Sequence, residues 1–191
     1  MHTIEPYYGW RNLYVASEDS RSPFFGYQNS EVSFTDQIYN FVIHPQWDNI
    51  GSESLFLKVL YVDYANGFAF LELFGEWNDL INNDIQTLKR DVVEVMVGEG
   101  VNKFILIGEN LLNFHTGQDY EDYYDEWQED LEEGWIAVLN MREHILDEMS
   151  RYGVDHYLVM GGKLNDLSWR TRHPKQVFKQ IDELVTKRLD W

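Results

Sequence analysis

Leu55 to Val62 and Phe68 to Phe74 are two runs in which nearly every position is apolar, with Lys58 and Glu72 as the charged interruptions. Between them lies Asp63-Tyr64-Ala65-Asn66-Gly67, whose Asn-Gly pair supplies the positive φ angles of a tight turn. The pattern predicts a β-hairpin. Because both alternating faces are apolar, it also predicts cover on both sides, with helices packed against a sheet. The period then lengthens. Leu80, Ile81, Ile85, Leu88, Val92, Val95 and Met96 recur at helical spacing, which predicts a helix capped by Asn78 or Asp79 and ended by Gly98 and Gly100. Lys103 to Ile107 reads as a short buried strand, and Glu133 to Tyr152 as an amphipathic helix stopped at Gly153. Tyr157 to Met160 reads as a further short strand. A last helix opens at Pro174, a residue favoured in a first turn, and buries Val177, Phe178, Ile181, Leu184 and Val185.

The first 50 residues follow neither period. They are aromatic and punctuated by Pro6, Gly9, Pro23, Gly26 and Pro45. Only Asn12 to Ala16 reads as a strand there, and Thr35 to Ile43 as a short helix that must end before Pro45. The expected organisation is one domain over residues 1–191, with residues 1–50 elaborating an α/β core over residues 54–188. The order strand, strand, helix, strand, helix, strand, helix predicts a mixed β-sheet packed by helices.

Composition narrows the function classes. The 191 residues are 44% hydrophobic and 16% aromatic, enough apolar surface for a folded core. The absence of cysteine removes disulfides, thiolate metal sites and cysteine nucleophiles together, and fits a cytoplasmic protein. Met1 to Trp10 lacks the basic start and apolar run of a secretory signal, and no apolar run reaches the roughly 18 residues of a membrane-spanning helix. The net charge of −18 repels phosphate backbones and anionic lipid surfaces, so neither nucleic acid nor membrane is expected as a partner. That charge is uneven. Asp119 to Glu133 holds nine carboxylates and no base, whereas Lys163 to Arg188 holds seven of the 15 lysines and arginines. Folding either joins these regions in ion pairs or leaves an acidic face and a basic one.

The element order, with Gly75-Glu76-Trp77-Asn78 after the hairpin and Leu131-Glu132-Glu133-Gly134 before a helix, resembles the STAS-like family of anti-sigma-factor antagonists over residues 54–188. That family carries a G-E-[LW]-[DN]-like link from strand to helix. Its D-S-[ST]-G motif at a helix N-terminus holds a phosphorylated Ser or Thr. The resemblance implies a protein-interaction, regulatory role. No hydroxyl precedes Gly134, however, so the phosphorylation switch does not carry over. Glu132 and Glu133 either imitate a permanently charged state or are ordinary acids at a helix start, where the dipole favours them. The connection from Ile107 to Leu131 exceeds the family's usual length and would cover or replace its partner surface.

No P-loop, GxGxxG or GxSxG pattern accompanies these elements, and no cofactor or catalytic residue is assigned. The acidic stretch lacks the glycine and ligand positions of a calcium-binding helix-loop-helix loop, so no metal is assigned either. It reads as a solvated loop anchored by Tyr123, Tyr124 and Trp127, or as a docking surface for a partner with a basic surface. A homodimer, with the basic last helix meeting the acidic loop, would suit the abundance of aromatics. His144 and Glu148 have the i, i+4 spacing of one helix face. Two functions follow: a non-enzymatic interaction domain, or a small-molecule binder or enzyme. The second would have its pocket at strand ends, near Glu109, Asn110, His115, Gly161 and Gly162.

Overall fold

The computed structural model describes residues 2–189. Three short strands, β1 (His2–Ile4), β2 (Gln37–Ile38) and β3 (Phe41–Ile43), make a small sheet in the order β1-β3-β2. The main sheet follows the order β4 (Asp48–Asn49), β5 (Leu55–Asp63), β6 (Phe68–Asn78), β7 (Lys103–His115), β8 (Trp135–Leu139). Its first three strands are antiparallel, whereas β6, β7 and β8 run parallel. The fold is thus a mixed sheet with helices packed on it.

The apolar hairpin runs dictate this arrangement. On the first face of β5 and β6, Leu55, Leu57, Val59, Ala69, Leu71, Leu73 and Trp77 belong to one buried cluster. After the short α1 (Asp79–Asn82), that cluster is covered by α2 (Asp84–Leu88), α3 (Glu94–Gly98), α4 (Glu121–Asp130) and α5 (Glu143–Arg151). The second face carries α6 (Pro174–Leu189), whose Val177, Ile181 and Val185 pack with Phe68, Phe70, Ile105 and Trp10. The small sheet closes the far end of that face through Ile38, Ile43, Trp47, Phe56 and Phe74. A β-bulge at Leu60 shifts the hairpin register, so that Tyr61 opposes Phe70 but Lys58 opposes Glu72. The turn holds because Asp63 accepts Asn66 N–H at 3.1 Å and Gly67 takes φ +67°.

Several expected elements differ. The helix expected over 80–96 begins as α1, breaks where Asn83 adopts φ +53°, and passes through a π-helical segment, Lys89–Val93. Asn78 is its cap, accepting Ile81 N–H at 3.1 Å. Leu80 and Ile81 fall outside the stripe and are 57% and 80% exposed. The expected helix over 133–152 is instead strand β8 followed by α5. The all-apolar run Trp135–Leu139 is buried on both faces between β7 and the returning chain. The strand expected over 157–160 reduces to one bridge, Ala137 with Val159. Thr35 to Ile43 forms the β2–β3 hairpin rather than a helix, with Tyr39 at φ +51° in its turn. Asn12 to Ala16 is a turn entering a single 3-10 turn, Ala16–Glu18.

The acidic stretch is helix α4 rather than a loop, because Tyr124, Trp127 and Leu131 recur at helical spacing and are buried on the first face. Lys89 ties it down with Nζ 3.3 Å from Glu126, 3.1 Å from Asp130 and 3.0 Å from Glu94. The basic segment lies across the sheet in α6, so the acidic and basic regions occupy opposite faces.

Candidate functional site

A polar seam divides the second face. Apolar packing runs along β5 and β6 from Leu60 and Phe70 at one end to Phe56 and Phe74 at the other, and Lys58 and Glu72 interrupt it between them. Lys58 Nζ lies 3.2 Å from Asp48 Oδ1, and Asp48 is 1% exposed. Asn29 Nδ2 donates to the same Asp48 oxygen at 3.0 Å, while Asp48 Oδ2 has no partner among the described residues. Burial pushes the Asp48 carboxyl up, against the opposing pull of Lys58.

Glu72 is fully buried. It accepts Tyr7 N–H at 2.8 Å and Asn110 Nδ2–H at 3.2 Å. Burial raises its carboxyl to about 7, although the Tyr7 amide and Arg170 favour the charged form and Glu109 opposes it. Tyr7 therefore fastens the N-terminal segment to the middle of the sheet. Its hydroxyl donates to the Arg170 carbonyl, and its ring meets Trp169 edge-on at 4.8 Å. Trp10 Nε1 donates to the Arg172 carbonyl at 2.9 Å.

That fastening roofs a cavity of about 450 Å³ over Lys58, with walls that include Tyr7, Tyr8, Tyr14, Tyr27 and Arg11. The size falls within the range of small-molecule sites. The Tyr8 and Tyr14 phenols are neutral donors at pH 7. Burial and nearby Glu5 push Tyr8 up to about 12, and burial pushes Tyr14 up too. The Tyr8 hydroxyl lies 2.9 Å from His44 Nδ1, and Tyr14 donates to Asp19 at 2.9 Å. Arg11 and Glu31 pair at 3.5 Å on the exposed rim. The residues that sequence reasoning left unread thus build the walls. The available signal was the density of tyrosines among turn residues before Leu55.

The pocket expected at the strand ends is not gathered. Glu109 lines a separate cleft of about 420 Å³ with Asn140, Asn165 and Arg170. There it accepts Asn140 Nδ2–H at 2.8 Å and Trp169 Nε1–H at 2.9 Å and pairs with Arg170. Burial works upward on Glu109, but these partners hold it below the ordinary range. Asn110 turns to Glu72. His115 is six residues farther along β7, roughly 20 Å from Glu109, and faces Glu76 at 3.8 Å. Gly161 and Gly162 lie under Arg188, which donates to the Gly161 carbonyl at 2.7 Å. His144 Nε2 lies 3.1 Å from the Leu112 carbonyl while Glu148 pairs with Arg151, so those two do not form a unit.

The expected interaction residues separate as well. Tyr124 and Trp127 are buried core residues and Tyr123 is half-buried, so α4 presents carboxylates without an aromatic surface. Glu132, Glu133 and Gly134 lie in the loop before β8, not at a helix N-terminus. Glu132 has φ +54°, and a Cβ on Gly134 would stand 1.7 Å from the Asn102 carbonyl oxygen, so close strand packing requires glycine there. Among the described residues no cluster of three His, Asp or Glu side chains suits a metal ion, and no helix is long and apolar enough to cross a membrane.

A second buried carboxylate cluster supports the first face. Asp79 accepts from Trp77 Nε1 at 2.8 Å, Ile85 N at 2.8 Å, Thr116 Oγ1 at 2.7 Å and Tyr124 OH at 2.8 Å. Asp84 accepts Asn78 N–H at 2.7 Å, and burial raises its carboxyl to about 6. This cluster fixes the β6–α2 junction.

No protein-family model matches the chain, and no curated protein sequence matches it. Among solved structures, the anti-sigma factor antagonist SpoIIAA in its unphosphorylated form is similar at 12% identity and a TM-score of 0.40, over 56% of this chain and 89% of that one. The Bacillus cell fate determinant SpoIIAA in its phosphorylated form is similar at 12% identity and a TM-score of 0.37, over 56% of this chain and 92% of that one. The likeness covers a segment of this chain and falls on the family that the element order resembles.

Proposed function

We propose that this chain is a non-catalytic small-molecule-binding domain whose ligand occupies the tyrosine-walled cavity over Lys58. The observation that carries this reading is the cavity itself: about 450 Å³, lined by Tyr7, Tyr8 and Lys58, with the buried Asp48 paired to Lys58 behind the lining. Binding is favoured over catalysis because the ionisable groups of the wall are engaged structurally, Lys58 with Asp48, Arg11 with Glu31 and Tyr14 with Asp19. A screen of small aromatic fragments followed by NMR tests it. Hits should shift Tyr8, Tyr14 and Lys58 together; Val15 also lines the cavity, and Val15→Trp, which enlarges that side chain to an indole, should abolish those shifts while the fold is retained by circular dichroism. Hits that map elsewhere, or that survive Val15→Trp, would remove the proposal.

A protein-interaction role is the second reading, in line with the resemblance. One observation favours it: Leu80 and Ile81 stand exposed side by side on α1. Its check is a pull-down in which Ile81→Asp loses a protein that the wild type retains.

A further inference from the structure

The cavity floor also states which ligand charge it accepts. Lys58 is the one cation on that stretch of sheet, and it is flanked on both sides by acids: Asp48 from β4 at 3.2 Å, and Glu72 directly opposite on β6. Directly opposed residues in a sheet have Cβ atoms about 5 Å apart, so both carboxylates lie within the reach of the ammonium's field. At the rim, Glu31 balances Arg11, and Glu18 adds a further acid to the wall. An anionic ligand would thus meet a cation already neutralised, the field of two buried carboxylates behind the cavity lining and that of a chain with net charge −18. A cationic ligand head would meet the Lys58 ammonium itself. What the floor leaves unused is donor capacity. An ammonium has three N–H groups, and one is engaged, with Asp48.

We infer that the ligand is a neutral, flat molecule carrying a carbonyl, such as an amide, lactam or quinone ring, whose oxygen accepts from Lys58 and whose ring lies among the tyrosines. This rests on the cavity being the binding site. The carbonyl gains a charge-assisted hydrogen bond without adding net charge to a buried site. Tyrosine rings supply large apolar area beside it.

Three isosteric probes separate the possibilities on the wild-type chain: benzamide, benzoate and benzylamine, titrated at pH 7.5 and followed at the NMR resonances of Tyr8, Tyr14 and Lys58. Benzamide is expected to bind in the millimolar range and at least tenfold more tightly than either charged probe, the size of one good charge-assisted bond. The double variant Asp48→Asn, Lys58→Met removes the donor while keeping the floor neutral, and should weaken benzamide about tenfold. Benzoate or benzylamine binding as tightly as benzamide at those resonances would overturn this inference and leave the cavity reading standing. If none of the three probes shifts those resonances, the cavity reading itself fails, and this inference with it.

Discussion

The two faces of the main sheet are built from the same strands and solve burial differently. On the first face, helices α2 to α5 cover an unbroken apolar cluster. The central carboxylate on that side, Asp79, is met by four donors between 2.7 and 2.8 Å. On the second face, apolar packing is split in two by Lys58 and Glu72, and Glu72 is met by two donors. Asp79 is saturated and the junction it fixes is a scaffold, although Asp84 Oδ1 and Trp127 Nε1 on the same side have no partner among the described residues. On the second face the unpartnered Asp48 Oδ2 lies behind Lys58 at a cavity, and the fold carries there a local cost of the kind that accompanies binding sites.

The largest effect expected from breaking this contrast belongs to the scaffold. Asp79→Ala strands the Trp77, Thr116 and Tyr124 donors and the Ile85 amide in the interior, and should cost roughly 4 to 5 kcal/mol in urea denaturation. A cost below about 1 kcal/mol would show that the four bonds are not what holds the β6–α2 junction.

Glu72 should give the next effect, with opposite logic. Its carboxyl sits at about 7 when folded against an ordinary 4.5, so between those values the folded chain holds more protons than the unfolded chain. Its contribution is present below pH 4.5 and is lost as pH rises through about 7, an effect of about 3 kcal/mol. Arg170, Glu109 and the opposed Lys58 share this environment, and Asp84, raised to about 6, drifts in the same direction from the other face. Glu72→Gln keeps an acceptor for Tyr7 N–H and removes the charge, so its urea midpoint should fall less than the wild type's from pH 4.5 to 8. Identical pH slopes in the two proteins would assign the dependence elsewhere.

The smallest effect sharpens the contrast at the surface. Ile81→Asp alters a side chain that is 80% exposed and should leave stability within about 0.5 kcal/mol. Any loss of a protein partner in that variant is then a surface effect. A larger destabilisation would mean that α1 packs more tightly than its exposure indicates.

What the sequence made legible follows contact range. The hairpin, the Asn78 cap and α6 are local patterns, and the structure contains all three. Trp135–Leu139 was misread because a fully apolar run has no period, and the following Ile145 and Met149 extended it as a helix. In α4 the spacing of Tyr124, Trp127 and Leu131 was readable, but the density of carboxylates argued for solvent. The cavity depends on pairings such as Tyr7 with Glu72, 65 residues apart, and Trp10 with Arg172, 162 apart. No local period encodes such contacts. Of the five pocket residues expected at strand ends, Glu109 lines a cleft; β7 continues past the expected end at Ile107 and carries His115 away from it, Asn110 turns to Glu72, and Gly161 and Gly162 lie under Arg188.

The bulge at Leu60 makes the chamber a matter of parity. Up to Leu60 the even positions of β5 lie on the chamber's face, and from Tyr61 the odd ones do, because the unmated Leu60 shares that face with its neighbour. Deleting that residue would change no other letter of the chain. It would also leave every face where it is, because Val59 and Leu71 share the helix-covered side and Tyr61 and Phe70 the other, so the regular ladder keeps Lys58 opposite Glu72. Removing Leu60 is therefore a probe of the chamber's shape alone: the wall loses one apolar side chain and the strand its local bend, while Lys58 stays in the lining.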